Sequence, residues 1–208
     1  MRRLKKQILK FLQGIINNKN RKRLIQKNRS IVANNCIGGF ISHYIGIQFQ
    51  SPTINLFIKP KDYIKMLLDF DKYFDPEAPI DEIKIDGVNY PVGSLYGVEI
   101  HFMHYKSFDE AVAKWRERCG RINKDSLYVM MTDRDGCTLD DMKAFDSLDY
   151  RNKVIFTNRE YPEVKSSFYI HGFETDKSVG QMQEAMNILG KRYIDQFDYV
   201  EFLNRDWE

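Results

Sequence analysis

The chain has 208 residues, 43% hydrophobic and 29% charged, the make-up of one globular domain with a sizeable core. Three cysteines, Cys36, Cys119 and Cys137, are an odd number without framework or zinc-finger spacing, which argues for a reducing compartment without disulfides. The net charge of +3 conceals an asymmetry: residues 1–30 hold eleven Lys/Arg and no Asp/Glu, leaving 21 bases against 29 acids in the remainder, and a mildly acidic body excludes a general nucleic-acid binder.

Residues 1–29 form a basic amphipathic leader. Leu4, Ile8, Phe11, Leu12, Ile15 and Ile16 share one helical face, with Arg2, Arg3, Lys5, Lys6 and Lys10 largely elsewhere. Asn17-Asn18-Lys19-Asn20 interrupts this helix before a second basic run, residues 21–29. Two uses fit: an interfacial helix lying on anionic lipid, or a helix packing one face on the body or on a second chain. There is no apolar run long enough to span a membrane and no secretory cleavage site, so the expected place is cytoplasmic, peripheral on the inner face of the cell membrane.

The body, residues 30–208, reads as a single α/β domain. Residues 31–33 are a buried strand. Asn34-Asn35-Cys36-Ile37-Gly38-Gly39 is a small-residue turn, and a helix starts near Phe40. Residues 54–58 read as a strand ended by Lys59-Pro60, and Pro60 suits the first turn of a helix carrying Tyr63, Met66, Leu67, Phe70 and Phe74. Residues 81–90 alternate around an Asp86-Gly87 hairpin turn, residues 91–95 read as a loop, and residues 98–105 as a strand. Ser107 with Glu110 is a capping-box signature for a helix over residues 108–122. Residues 127–131 are a short buried strand, Thr138 caps the next helix, and residues 154–157 and 168–170 are strands. A C-terminal helix is expected from Ser178, with Met182, Met186, Leu189, Tyr193, Ile194 and Phe197 in register. Strands alternating with helices predict a three-layer fold: a mainly parallel sheet covered by helices on both faces, with an antiparallel addition.

Ligands in such sheets sit beyond the C-terminal ends of strands, where three polar sets fall. The first is Asn34, Asn35 and Cys36 with His43. Glycines 38 and 39 let backbone approach a ligand, and a helix N-terminus favours a thiolate. Cys36 and His43 are a candidate nucleophile–base pair, with Asn34 or Asn35 and helix N–H groups as oxyanion donors; the alternative is a small cysteine chosen for packing. The second set is Glu99, His101, His104 and Tyr105. It offers two convergent ligands where a metal needs three, so a general-base or hydrogen-bonding His101 is preferred over a metal site. The third is Asp133, Arg134, Asp135 and Cys137; its Asp-x-Asp loop is of the kind glycosyltransferases use to hold a divalent metal, and Arg134 can instead neutralise both carboxylates. The reading assigns no metal ligand, and no cofactor is identified.

Asn34-Asn35-Cys36-Ile37-Gly38-Gly39, Thr53-Ile54-Asn55-Leu56-Phe57-Ile58, Pro91-Val92-Gly93, Glu99-Ile100-His101-Phe102-Met103-His104-Tyr105, and the run of Ala111, Trp115, Arg118 and Arg121-Ile122-Asn123 together resemble a bacterial family, the domain of unknown function nineteen-nineteen. The likeness covers about residues 29–170. It implies an α/β fold and a role at exopolysaccharide or capsule loci, with no catalytic residue to carry over. Asn35-Cys36 and His43 are also similar to the turn of a capsule-associated acyltransferase-like family, with Ile37 where that family has glutamine. The resemblance implies a sugar-modifying transferase, acyl- or glycosyl-transferring, that takes a carbohydrate and an activated sugar or acyl donor. The other expectation is a non-catalytic carbohydrate- or partner-binding module of the same pathway.

Overall fold

The structure, a computed structural model, describes residues 2–205 and, of their side chains, all but those of Arg2, Arg3 and Lys5. The expectation that those three bases leave the apolar stripe of the leader therefore lies outside the described residues. In chain order the elements are α1 (Arg2–Arg23), β1 (Ser30–Ala33), α2 (Ile37–Ile45), β2 (Phe57–Ile58), α3 (Pro60–Leu68), α4 (Phe70–Tyr73), β3 (Asp81–Ile83), β4 (Val92–Leu95), β5 (Val98–His101), α5 (Phe108–Cys119), β6 (Leu127–Thr132), α6 (Leu139–Ser147), β7 (Lys153–Thr157), β8 (Ser167–Tyr169) and α7 (Tyr199–Asn204).

Among the described residues the strands form two four-stranded sheets. One is parallel throughout, in the order β1-β6-β7-β8; the other is antiparallel throughout, β2-β5-β4-β3. Strands β1, β6 and β7 are buried on both faces, as their unbroken apolar runs require, while the edge strand β8 is half-buried. On one face Val32, Val129, Met131 and Ile155 pack against the antiparallel sheet (Ile58, Val98, Ile100) and against Tyr63 of α3, Trp115 of α5 and Phe145 of α6. On the other, Ile31, Ala33, Met130 and Phe156 meet Ile37, Ile41 and Ile45 of α2, and Val200 and Leu203 of α7. The α/β layering is the expected one. The antiparallel part is larger than a single added segment because residues 91–95, expected as a loop, are strand β4. Gly93 supplies the reason: a Cβ there would lie 2.7 Å from Ile80 and 3.0 Å from Phe102, so the strand uses a glycine to pass under two side chains.

Local signals account for most element ends. Ser107 accepts from the Glu110 N–H to start α5, and Thr138 forms a capping box with Asp141 to start α6. Pro60 stands at the first turn of α3. The strand expected over residues 54–58 pairs only at Phe57–Ile58, because Asn55 adopts φ 62° and breaks the extended chain.

Two expectations are corrected. The leader does not stop at Asn17: α1 runs unbroken to Arg23, and its inner face is bolted to the body. Asn17 accepts from Arg192 at 3.0 Å, Asn20 donates to the Tyr199 hydroxyl at 2.8 Å, Arg21 donates to the Tyr44 carbonyl at 3.0 Å, and Arg23 pairs with Asp198 at 2.5 Å. Leu24 and Arg29 are buried, so the sheet begins at residue 30 but packing begins before it. The C-terminal helix expected from Ser178 is absent over residues 178–192. Gly190 turns with φ 81°, Ala185 bridges back to Arg192, and among the described residues the helical pieces beyond Ser178 are a 3₁₀ turn at Tyr193–Gln196 and α7. Met182, Ile194 and Phe197 are buried, whereas Met186 and Leu189 are exposed. A shared helical period therefore did not mean a shared face.

Candidate functional site

Strands β1 and β6 are neighbours, yet the helices that follow them leave to opposite faces, α2 to one and α6 to the other. Such a divergence opens a crevice beyond the C-terminal strand ends, where α/β sheets bind ligands. A cavity of about 350 Å³ lies there. One wall is the turn after β1 and the start of α2, with Asn35, Cys36, Ile37 and Phe40. A second comes from the antiparallel sheet and the turn after it, with Leu56, Phe57, Met103 and His104. The loop after β6 supplies Arg134 and Asp135, and residues 180–183 close the fourth side. The lining is thus largely apolar, with two phenyl rings, two methionines, a leucine and an isoleucine, and carries a few polar tips.

The turn that carries Cys36 is built by the two asparagines. Asn34 is buried; its Oδ1 accepts from the Thr132 N–H at 3.1 Å, and its own backbone carbonyl accepts from Ile58 N at 2.8 Å. Asn34 thereby ties β1 to β6 and to β2. Asn35 donates to Thr132 Oγ1 at 2.8 Å and accepts from Ile37 N at 3.1 Å, an Asx cap on α2. Both side-chain oxygens hold the turn, and an oxyanion would need the amide N–H groups: the Asn35 Nδ2 is engaged by Thr132, and the Asn34 Nδ2 is buried without a partner on a residue outside the cavity lining. Gly38 and Gly39 are buried and outside the cavity wall. A Cβ on Gly38 would stand 3.1 Å from Ile31 Cγ2 and 3.2 Å from its carbonyl oxygen; one on Gly39 would stand 3.3 Å from Ile54. These glycines let helix press on strand and do not bring backbone to a ligand.

Cys36 lines the cavity, with its Sγ 3.6 Å from the Leu56 carbonyl oxygen. Burial pushes its thiol up from the ordinary value, against smaller opposing effects from the backbone at Leu56 and Asn55 and the charge of Arg134. The helix start does not produce a thiolate here because desolvation outweighs it. His43 does not pair with Cys36. Seven residues along a helix is about 10 Å of rise, and His43 is exposed two turns away, beside Tyr44. Spacing that puts two residues on one helix face does not bring them within hydrogen-bonding reach.

His101 is 5% exposed. It stands behind the cavity wall, stacked on Phe57 with ring centroids 4.3 Å apart and planes 13° apart. Its Nδ1 faces the Tyr90 hydroxyl at 3.3 Å and its Nε2 faces Glu99 Oε2 at 3.5 Å. Burial lowers its pKa, partly opposed by Glu99, so the imidazole is neutral at physiological pH. Glu99 is anchored by Lys59 at 2.6 Å, which holds its carboxyl below the usual range. His104 is exposed and lines the cavity on its own. Tyr105 accepts from Arg118 at 2.7 Å and donates to the Ile54 carbonyl at 3.0 Å, a brace for the turn after β5.

The Asp-x-Asp pair divides. Asp133 is buried, its Oδ1 accepting from Val179 N and its Oδ2 from Asn158 N, both at 2.8 Å; it staples the ends of β6 and β7 to residue 179 and does not reach the cavity. Asp135 lies at the cavity mouth in a left-handed turn, φ 59°, followed by Gly136 at φ 83°. Partial enclosure by the surrounding walls raises its carboxyl, opposed to a smaller extent by the charge of Arg134. Arg134 reaches the Gly180 carbonyl at 3.4 Å and lines the same mouth. The two carboxylates point to different work, and no group of three or more His, Cys, Asp or Glu able to hold a metal occurs among the described residues.

The cavity thus brings together Asn35, Cys36, His104, Arg134 and Asp135, with His101 one ring behind. It leaves out His43, Asn34, Gly38, Gly39, Glu99, Tyr105 and Asp133. Phe40, Phe57, Met103, Gln181 and Gln183 are wall residues that sequence reasoning missed. Phe57 adjoins a strand end beside the noted histidines and was within reach; residues 180–183 were hidden inside the expected helix.

A family model described as Domain of unknown function (DUF1919) matches residues 7–204. The chain is also similar to an uncharacterized protein of Haemophilus influenzae (strain ATCC 51907 / DSM 11121 / KW20 / Rd), 41% identical over 202 residues that cover 97% of each chain.

Proposed function

The chain belongs to the family described as Domain of unknown function (DUF1919), and from that premise we propose that it is a sugar-modifying transferase of cell-surface polysaccharide assembly, working in the cavity at the β1–β6 switch point. The observation that carries the reading is the composition of that cavity. Phe57 and Phe40 offer apolar faces of the kind that cover a sugar ring, while His104, Arg134, Gln181 and Gln183 stand around them with hydrogen-bonding groups suited to hydroxyls. A volume of about 350 Å³ is near the small end of ligand sites, which favours one monosaccharide unit at a time.

In this reading Asp135 is the base. A carboxyl raised by partial enclosure binds a proton more readily than one in water, which suits proton removal near neutral pH. It takes the proton of the acceptor hydroxyl as that oxygen bonds to the transferred carbon. The bond from that carbon to the leaving group breaks, and the leaving group departs with the electron pair beside the Arg134 cation. The strained turn at Asp135 fits a position held for chemistry. Cys36 is then a wall residue and not the nucleophile. A second reading, a non-catalytic carbohydrate-binding module, is favoured by the same thiol, which burial disfavours as a thiolate and which His43, two helical turns away, does not activate.

Titration calorimetry with a panel of sugar nucleotides, acyl-CoA and oligosaccharides, followed by mass spectrometry of the mixtures, decides between them. The transferase reading expects a new product and a loss of about a hundredfold or more in turnover for Asp135→Asn with ligand affinity kept. Binding without product supports the module, and absence of binding to any sugar-bearing ligand refutes both.

A further inference from the structure

Two apolar elements outside the core stand side by side on this molecule. The first is the outer face of α1. Leu4, Ile8, Phe11 and Ile15 are 62, 50, 70 and 53% exposed. Their spacing of four, three and four residues confines them to an arc of about 60°. Lys19 and Lys22 continue the same line. The helix cannot roll to bury this stripe, because its opposite side is tied to Tyr199, Arg192, Tyr44 and Asp198. The second element is the turn over residues 187–190. Gly190 presses on α1, where a Cβ would meet Leu12 Cβ at 2.9 Å, and this seats Ile188 and Leu189, 77 and 69% exposed, beside the helix.

We propose that the outer stripe of α1 and the turn at residues 187–190 form one surface that docks on an anionic lipid bilayer. Charge selects this occupant. The first 30 residues carry no acid, and although Arg29 is buried and Arg21 and Arg23 are engaged by the body, Lys6, Lys10, Lys19, Lys22 and Lys27 are exposed, on a chain whose remainder has more acids than bases. A one-sided apolar stripe bounded by lysines lies in the interface plane, its side chains in the acyl boundary and its bases among anionic headgroups. No helix among the described residues is long and apolar enough to cross a membrane, so the contact is peripheral. A second copy is the poorer occupant, because a two-fold pairing would set like charges against one another. The proposal stands independently of the transferase reading.

The test is co-sedimentation of the full chain with vesicles of phosphatidylcholine alone or mixed with phosphatidylglycerol. Binding is expected to the mixed vesicles, at least about tenfold weaker to the neutral ones, and falling as salt rises. Phe11→Glu with Ile15→Glu, and separately Ile188→Ser with Leu189→Ser, should each weaken binding about tenfold or more without moving the melting temperature, since all four side chains are exposed. The proposal is overturned if the full chain ignores anionic vesicles, or if both double variants bind like the parent. It is also overturned if sedimentation velocity shows a dimer that the α1 variant dissociates while neither form binds lipid. No sugar substrate enters the measurement, so its failure and that of the catalytic reading are told apart.

Discussion

Asp133→Asn and Asp135→Asn, made separately, should differ sharply in their effect on stability, although the two carboxylates are two residues apart. The Asp133 carboxylate is 5% exposed and accepts one backbone N–H on each oxygen, from Val179 and from Asn158, both at 2.8 Å. Asparagine keeps one acceptor and turns an NH₂ group toward the other N–H, so a hydrogen bond to a charged acceptor is lost and a buried donor is orphaned. Such a bond contributes about 1.5–3 kcal/mol. Relief of the burial penalty that pushes the Asp133 carboxyl up returns part of it, leaving a net loss of about 2 kcal/mol. For a chain of this size that lowers the melting temperature by about 4–8 °C. Asp135 is exposed, and its replacement should stay within about 0.5 kcal/mol of the parent. Scanning calorimetry at pH 7 checks both. Equal melting temperatures for Asp133→Asn and the parent would refute the staple. A divalent-ion dependence of activity abolished by either substitution would restore the paired-carboxylate site.

Cys36 should alkylate slowly with iodoacetamide at neutral pH, because burial holds it as the thiol, and Cys119, pushed up to about 12, should be slower still; rapid labelling of Cys36 in the folded chain would contradict the desolvation argument. The lowered pKa of His101 means the unfolded chain binds more protons than the native one between the native pKa and about 6.5. Stability should therefore fall as pH drops through that window, and His101→Phe, which keeps the stack on Phe57, should flatten the fall. Urea unfolding at pH 5 and 7.5 reads this, and an unchanged slope would sink it. Phe57→Ala should weaken sugar binding and cost about 1 kcal/mol from the lost His101 stack, measured by calorimetry and thermal unfolding.

What the sequence by itself determined here is local. The caps at Ser107 and Thr138, Pro60 at a helix start and the apolar runs of β1, β6 and β7 each rest on interactions within a few residues, and each stands where the pattern placed it. Those runs also imply a sheet covered on both faces, and the Cys36 turn and the loop at Asp135 were legible as cavity elements because strand ends are readable. Tertiary structure alone decided which side of each residue is used. Gly38 and Gly39 serve packing because Ile31 and Ile54 lie under them, and Asp133 is spent on Val179, a partner 46 positions away. The helical period over residues 178–197 was overridden because Gly190 had to turn against α1, which left Ile188 and Leu189 outside. Charge and periodicity describe a residue's own neighbourhood. Whether a polar group faces a ligand or a distant backbone N–H depends on chain segments that meet only on folding.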